Sequence, residues 1–161
     1  YNLKRQGAHA VTVMRTDARR IDAFFRFDHI LLDAPCTGSG TMRAHDPKAA
    51  ARFTPHLLKK CAAAQRALLD RALTVLKPGG TMVYSTCSIL PEENERTVRE
   101  VLGRKEHADR FELLSPALPT FDADRLRAEL PLLPCTMEEA LCVRPTDAYE
   151  GFFMVKIRRV R

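Results

Sequence analysis

The sequence predicts an α/β protein built around a parallel sheet. Three observations point to this fold class: β-branched or aliphatic runs alternate with helical segments, helix-start and helix-stop residues separate them, and two strand-like runs close the chain. Such an alternation is typical of a sheet whose faces are covered by helices. We therefore expect a single sheet with helices packed against it.

Two apolar runs predict the first strands. Residues 10–14 are short and β-branched, and the run stops before Asp17, which favours a strand. Residues 27–32 include the sequence Ile-Leu-Leu and end before Asp33. A continuous apolar run of this length favours a buried strand of a parallel sheet.

The middle of the chain predicts a helix, a strand and a further helix. Thr54 and Pro55 suit the N-cap and first turn of a helix, and leucines and alanines then keep helical spacing until residues 77–80 (KPGG) stop it. Residues 81–85 favour a strand. Residues 91–95 (PEENE) favour the start of another helix, because acidic side chains stabilise the positive end of its dipole.

The last third of the chain divides into a loop region and a hairpin. Residues 111–134 are rich in proline and leucine without a clean period, which predicts loops with short helical turns. Residues 141–144 and 152–157 favour two strands joined by a polar turn.

Length and composition describe one globular domain. The chain has 161 residues, of which 45% are hydrophobic and 29% are charged, and this excludes a disordered chain, a collagen and a coiled coil. No apolar run approaches the ~20 residues of a membrane span, and no signal peptide is apparent. Since the chain begins without Met, we expect a piece of a longer protein.

Charge and cysteine content limit the kinds of partner and the cellular compartment that we expect for the protein. The 26 Lys and Arg against 20 Asp and Glu suit a polyanionic partner, although a mildly basic protein without such a partner is an equal alternative. The five cysteines are odd in number and lack CxxC spacing, which argues against a zinc site and a disulfide framework. We expect a reducing, cytoplasmic location.

Three polar segments follow predicted strands. Ligands of α/β sheets bind beyond the carboxyl ends of the strands, so Asp17, residues 33–40 (DAPCTGSG) and residues 85–88 (STCS) should meet at one rim. The glycines of the second segment would let a ligand approach the backbone. The alternative is a simple strand-to-loop turn capped by Asp33.

Two thiols on this rim favour covalent chemistry. A helix N-terminus after Cys87 would contribute only ~0.3–1 kcal/mol to a thiolate, so a base or a bound substrate must help, unless Cys87 is only a small buried residue. A thiolate that adds to an electrophilic ring carbon activates the ring, and a second thiol, such as Cys36, or a base could then help to eliminate the adduct. Asp33 could hydrogen-bond a ring nitrogen.

These segments resemble the Fmu/Sun (NOL1/NOP2/Sun) family of RNA cytosine-5 methyltransferases. They are more similar to its bacterial members that act on ribosomal RNA than to its nucleolar members. The matching motifs are residues 33–40, 77–80, 84–88 with 93–95 (ENE), and 149–155 (YEGFFMV). The resemblance implies a Rossmann-like methyltransferase fold and S-adenosylmethionine as methyl donor. It also implies methylation of carbon 5 of cytosine in RNA, with ribosomal RNA as first choice and transfer RNA as second.

The resemblance also implies residue roles. Cys87 falls on the nucleophile that attacks carbon 6 of cytosine, and Cys36 on the cysteine that assists release. Asp33 would hydrogen-bond the cytosine and, with Pro35, lie near the cofactor, while Asp17 resembles the acid that contacts the adenine. DNA cytosine-5 methyltransferases use the cysteine of a Pro-Cys motif as nucleophile, which here is Cys36, and the chemistry of the residues alone leaves both assignments open.

Parts of the family's catalytic domain are missing from the sequence. The glycine-rich cofactor loop, the acid that holds the ribose and the N-terminal RNA-binding region are absent, so residues 1–161 match a partial catalytic domain. In the family's strand order 3-2-1-4-5-7-6, residues 11–14 are the third strand, and the first two strands are missing. We expect residues 11–14 to pair elsewhere, to swap into a dimer or to lack order, and the chain alone to have little activity.

The remaining expectations concern RNA contacts and competing functions. Arg43, Lys48 and Arg52 are candidate phosphate contacts, although solvated surface charge is the commoner fate of such residues. A non-catalytic RNA-binding module and a DNA cytosine-5 methyltransferase are the alternative functions. We expect no metal site and no membrane association.

Overall fold

A five-stranded sheet organises the chain in the computed structural model, which describes residues 2–42, 51, 53–115 and 123–161. Its strands are β1 (Phe27–Asp33), β2 (Leu76–Thr86), β3 (Phe111–Leu114), β4 (Ala140–Val143) and β5 (Phe152–Arg159). The α-helices of the described residues include α1 (Asn2–Arg5), α2 (Pro55–Val75), α3 (Glu95–Leu102) and α4 (Ala123–Glu129). Two short 3₁₀ helices span Ala18–Arg20 and Ser39–Thr41.

The strand order agrees with one half of the methyltransferase sheet. β1 runs parallel to β2, and β5 pairs antiparallel with the other edge of β2. The predicted hairpin is confirmed, since β4 pairs antiparallel with β5. The order β1-β2-β5-β3 corresponds to strands 4-5-7-6 of the order that the resemblance implies. The α/β fold of the Rossmann-like methyltransferase type is therefore confirmed.

The outer edge of β5 is shared by two separate strands. β3 pairs with residues 156–159 of β5, and β4 pairs with residues 152–155. Because β2 occupies the opposite edge of β5 over residues 153–158, β3 and β4 lie end to end on the same edge. Together they form one interrupted strand. Residues 111–134 were expected to contain only loops and helical turns, so β3 is a correction.

Helix α2 begins as the sequence predicts and covers the sheet. The Thr54 hydroxyl accepts a 3.1 Å hydrogen bond from the Leu57 N–H, and Pro55 occupies the first turn. The buried side of α2 includes Leu69 and Leu73, which have no exposed surface. They join a core with Tyr84 and Phe153 of the sheet and with Val98 and Val101 of α3.

The end of α2 and the start of α3 differ from the prediction. Helix α2 ends at Val75, and the predicted stop at residues 77–80 lies inside β2, where Gly79 takes a φ of 78°. Residues 91–94 form a turn, and α3 begins only at Glu95. The acidic residues 92 and 93 therefore precede the helix instead of occupying its first turn.

The strand predicted at residues 10–14 is not formed. These residues have no regular secondary structure, and Val13 is 73% exposed. A strand requires a hydrogen-bonded neighbour, and the described residues offer this segment none. The β-branched run is present, but it has no neighbouring strand to pair with.

Strand β1 is buried on one side only. Ile30 and Leu32 pack against the core, whereas Leu31 is 74% exposed. Among the described residues, β1 pairs with β2 alone, so its second edge has no strand partner. A cavity of about 320 Å³ runs between this edge and α2. The expectation of a fully buried strand is thus wrong for one face.

Within the described part of the chain, no helix combines the length and apolarity needed to cross a bilayer.

Candidate active site

Two cysteines meet at the carboxyl ends of the parallel strands. The Sγ atoms of Cys36 and Cys87 lie 3.1 Å apart, and both side chains are half-buried. The register of β1 and β2 explains the contact between the sulfurs. Asp33 of β1 lies opposite Ser85 of β2, so the two strands end at the same level of the sheet. The predicted convergence of the two cysteine segments on one rim is therefore observed.

Asp33 lies at the same rim, on the open side of the site. Its Oδ1 accepts a 3.0 Å hydrogen bond from the Ser85 hydroxyl, and the residue is exposed, as is Pro35. The backbone N–H of Ala34 donates to the Ser85 carbonyl at 2.9 Å, which fixes the chain directly after β1. The Asp33 carboxylate is therefore held in place and still accessible to a ligand.

The Cys36 thiol resists ionisation. Burial raises the pKa of the Cys36 thiol to about 12, and the hydrogen bond with Cys87 adds to this effect. Cys36 therefore remains protonated near neutral pH and can donate its S–H to the Cys87 sulfur. Of the two sulfurs, Cys36 is therefore the one poorly suited to act as a thiolate near neutral pH.

Backbone contacts lock the loops of the two cysteines together. The Gly40 N–H donates to the Cys87 carbonyl at 3.0 Å, and the hydroxyls of Ser39 and Ser88 are 2.9 Å apart and buried. The N–H of Gly151, just before β5, donates to the Gly40 carbonyl at 2.7 Å. A Cβ on Gly40 would overlap the Gly151 backbone. The glycine at position 40 thus admits a neighbouring backbone, instead of the ligand that the sequence suggested.

Sequence reasoning missed two buried polar residues beside the cysteines. Glu93 and Asn94 have no exposed surface and bond to the cysteine loops. They belong to the motif at residues 93–95, which is part of the family resemblance but for which the sequence indicated no role. The small dipole effect expected at Cys87 assumed that a helix begins close behind it, whereas α3 begins eight residues after Cys87.

Asp17 lies apart from the cysteine pair. Its carboxylate caps the 3₁₀ helix Ala18–Arg20 and bonds the Arg19 guanidinium at 2.6 Å. Hydrogen bonds from the Arg19 side chain and backbone lower the pKa of Asp17 to about 2. No contact between described residues joins Asp17 to Cys36 or Cys87. Since residues 10–14 form no strand, Asp17 does not follow one, and only two of the three expected segments meet by direct contact.

The predicted RNA-contact residues Arg43, Lys48 and Arg52 lie outside the described residues.

Among the described residues, Asp70, Glu106 and His107 bring three possible metal-ligand atoms within 4.8 Å of one another. However, the Arg104 guanidinium lies 3.0 Å from the same Asp70 oxygen that meets His107, so a cation already occupies that carboxylate.

Comparison with known proteins gives a consistent family match. The family model described as 16S rRNA methyltransferase RsmB/F matches residues 1–158. Ribosomal RNA small subunit methyltransferase F of Cronobacter sakazakii is 40% identical over 98% of this chain, which covers 31% of that protein. The protein of the same name from Shewanella woodyi is 36% identical over 99% of this chain and 32% of its own length. The chain thus spans about a third of the length of these relatives.

Solved structures give the same picture. The crystal structure of NSun6 from Pyrococcus horikoshii with SFG is similar with a TM-score of 0.78 and 31% identity, covering 99% of this chain and 37% of that one. A methyltransferase homolog protein from Pyrococcus horikoshii matches with a TM-score of 0.73 and 33% identity, covering 98% of this chain and 48% of that one.

Proposed function

This chain belongs to the family of 16S rRNA methyltransferases RsmB/F, and on that premise we propose that it carries the two catalytic cysteines of an RNA cytosine-5 methyltransferase. The complete protein would methylate carbon 5 of a cytosine in ribosomal RNA through a covalent cysteine adduct, in the cytoplasm. The observation that carries the proposal is the 3.1 Å contact between the sulfurs of Cys36 and Cys87.

The raised pKa of Cys36 supports Cys87 as the nucleophile. Cys36, whose pKa is raised to about 12, stays neutral, and its S–H can donate to the Cys87 sulfur 3.1 Å away while Cys87 reacts. The Cys87 sulfur forms a bond to carbon 6 of the cytosine, and the ring electrons move toward carbon 5. The exposed Asp33 carboxyl group would hydrogen-bond the ring and stabilise the developing charge.

Release reverses the sulfur bond. After carbon 5 has gained its methyl group, its proton passes to water, the double bond re-forms, and the bond between carbon 6 and the Cys87 sulfur breaks. The leaving sulfur departs as a thiolate. Cys36, as a neutral thiol next to it, can donate a hydrogen bond to that thiolate, and this supports a role for Cys36 in release.

The chain fits its methyl donor in part. S-adenosylmethionine, when bound, supplies the methyl group to carbon 5, and an S-adenosylmethionine analogue accompanies a similar solved structure. Asp33 and Pro35 are exposed at the end of β1 and suit the methionyl end. Arg19 bonds both oxygens of Asp17, so an adenine that contacts Asp17 would compete with it.

We propose RNA, and not DNA, as the substrate because of the names of the relatives. They are named ribosomal RNA methyltransferases, and the chain matches them over nearly its whole length. A target cytosine in structured RNA would leave its stack to reach the rim. The formal charge of +6 supports a polyanionic partner.

The test is covalent trapping with the complete protein. It is incubated with S-adenosylmethionine and a small-subunit ribosomal RNA transcript carrying 5-fluorocytosine, and denaturant-stable adducts are resolved by gel. A 5-fluorocytosine DNA of the same sequence runs in parallel. The variants are Cys87→Ala, Cys36→Ala and, as a thiol-matched control outside the rim, Cys135→Ala.

Each outcome has one meaning. An RNA adduct that only Cys87→Ala removes supports the proposal. Loss only in Cys36→Ala would assign the nucleophile as in DNA enzymes, and an adduct with DNA alone would change the substrate. Tight RNA binding without any adduct in wild type would favour the non-catalytic RNA-binding module.

A further inference from the structure

The residues on either side of Cys36 are held by one buried carboxylate and its amide neighbour. Glu93 Oε1 accepts a 2.8 Å hydrogen bond from the Thr37 N–H, and Oε2 accepts one of 2.6 Å from the Thr37 hydroxyl. Gln65 Nε2 donates to Glu93 Oε1 at 3.1 Å and to the Pro35 carbonyl at 2.9 Å. Pro35 and Thr37 flank Cys36, so the Cys36 loop is held on both sides.

Asn94 does the same for Cys87. Its Oδ1 accepts a 2.6 Å hydrogen bond from the Thr86 hydroxyl, and its Nδ2 donates to the Ser88 carbonyl at 2.8 Å. Thr86 and Ser88 flank Cys87. Asn94 occupies the N-cap of α3, where such a side chain ordinarily bonds the first helical N–H groups, but it makes no such capping bond here. Its amide is used on the Cys87 turn instead.

The two adjacent residues are themselves anchored to the sheet. The buried Tyr84 hydroxyl of β2 donates to the Glu93 carbonyl at 2.7 Å, and the Glu93 N–H donates to the Leu90 carbonyl at 3.1 Å. The polar side-chain atoms of Glu93 and Asn94 all have hydrogen-bond partners, and buried groups bonded in this way define a single geometry, because losing one partner leaves another unsatisfied in a low-dielectric site. The arrangement therefore links both thiol-bearing loops to one short rigid segment.

We propose that Glu93 and Asn94 are positioning residues that keep the two sulfurs in contact, Glu93 through the Cys36 loop and Asn94 through the Cys87 turn. This assignment deepens the proposed function and rests on it for the separation of the two steps. Glu93 should govern release, which depends on Cys36, and Asn94 should govern adduct formation, which depends on Cys87.

A carboxylate at position 93 is required by the donors around it. The three N–H and O–H groups from Thr37 and Gln65 need acceptors on both oxygens of the side chain. In Glu93→Gln, one oxygen becomes an N–H₂ group, which cannot accept from any of them. The shape of the side chain is kept, while the Cys36 loop loses part of its support.

The experiment uses the complete protein with Glu93→Gln, Asn94→Asp and Thr37→Val, the last removing a single hydroxyl from the Glu93 contacts. Glu92→Gln is the control, because Glu92 is the neighbouring acid but pairs with Arg96 at the surface. Adduct formation is timed with 5-fluorocytosine RNA. Release is followed as the fraction of protein in denaturant-stable adduct on an unmodified small-subunit ribosomal RNA transcript. Alkylation of each thiol by iodoacetamide is mapped by mass spectrometry.

The expected results separate the two residues. Asn94→Asp slows adduct formation by about tenfold or more, since small displacements of reacting groups cost rates of this order. Glu93→Gln, and more weakly Thr37→Val, leave formation close to wild type and raise the adduct fraction on unmodified RNA, as loss of Cys36 would. Alkylation speeds up at Cys36 in Glu93→Gln and at Cys87 in Asn94→Asp. The control matches wild type throughout.

A general structural role would look different. If Glu93→Gln and Asn94→Asp slowed both steps equally in proportion to a lower Tm, or if neither changed step rates and alkylation, the assignment would be overturned. If wild type forms no adduct, the proposed function fails, and the alkylation pattern alone then decides whether each residue holds its own cysteine loop.

Discussion

Gly151 donates a 2.7 Å backbone hydrogen bond to the Gly40 carbonyl, and the two Cα regions are so close that a side chain fits on neither residue. This contact joins the Cys36 loop to the start of β5. It therefore couples the closing hairpin of the fold to the position of a thiol that lies far from it in the sequence.

Gly40→Ala and Gly151→Ala should both destabilise the protein. The new Cβ of Gly151→Ala would meet the Ile89 side chain at 2.6 Å and the Gly40 Cα at 2.7 Å. Such overpacking costs about 1–3 kcal/mol in the free energy of unfolding. Thermal unfolding followed by circular dichroism measures the loss. Glu150→Ala, an exposed substitution in the same loop, serves as control, and an unchanged Tm in both glycine variants would contradict the close packing.

The raised pKa of Cys36 predicts a pH dependence of its reactivity. With a pKa of about 12, this thiol should resist iodoacetamide until the pH approaches that value. Cys87→Ala removes the sulfur to which Cys36 donates and should move the onset of Cys36 alkylation to lower pH. Peptide mapping after timed alkylation across a pH series measures this. Rapid alkylation of Cys36 near pH 8 in the wild type would contradict it.

The same pKa shift gives a sign for stability against pH. A free thiol has a pKa of about 8.5 in the unfolded chain, and in the folded chain Cys36 ionises near 12. Between these values the folded state holds one more proton, so its stability is complete below about pH 8.5 and falls as the pH rises toward 12. Urea unfolding of wild type and Cys36→Ala across this window measures the effect, and the slope with pH should be shallower in the variant.

The sulfur contact also predicts sensitivity to oxidation. Hydrogen peroxide would convert one sulfur to a sulfenic acid and release water, and the second thiol would displace a further water to give a disulfide. We expect Cys36 and Cys87 to be the first pair linked, with adduct formation lost and restored by dithiothreitol. Mass spectrometry of non-reduced peptides checks the linkage. A sulfinic acid on either cysteine without the linkage would count against it.

The unpaired edge of β1 predicts self-association of the 161-residue chain. Leu31 is 74% exposed on a strand whose second edge has no partner among the described residues, and such edges recruit further strands. Leu31→Lys should shift the chain toward monomer in sedimentation velocity runs. Val160→Lys removes an exposed apolar side chain away from that edge and should leave association unchanged. A strictly monomeric wild-type chain at high concentration would refute the prediction.

Local signals in the sequence predicted the elements that depend on local physics. The Thr54–Pro55 helix start, the apolar run of β1 and the closing hairpin are each encoded within a few residues. Strand β3 was missed because its four residues gain their strand character from β5, which lies about forty residues further along the chain. For residues 10–14 the error was the reverse: a strand was predicted and none forms, because a strand needs a neighbouring strand to pair with.

The site divides in the same way. Strand ends and the topology rule predicted that Cys36, Cys87 and Asp33 lie together, and their segments meet. The contacts of Glu93 and Asn94 could not be predicted, because acidic and amide residues before a helix ordinarily face solvent or cap it. Their burial follows from how the turn at residues 91–94 folds back between two loops, which is a property of the assembled sheet.

The interrupted edge strand of the sheet makes the part of the chain between Leu114 and Pro131 a natural place for variation. The chain leaves the edge of β5 after β3 and rejoins the same edge at β4, and each half is hydrogen-bonded to β5 independently. Residues added or removed before Pro131 need not shift the register of either half, whereas Leu132 bridges Val143 of β4 and Met137 lies in the core. Related proteins could therefore differ in length there while the geometry of the two thiols stays unchanged.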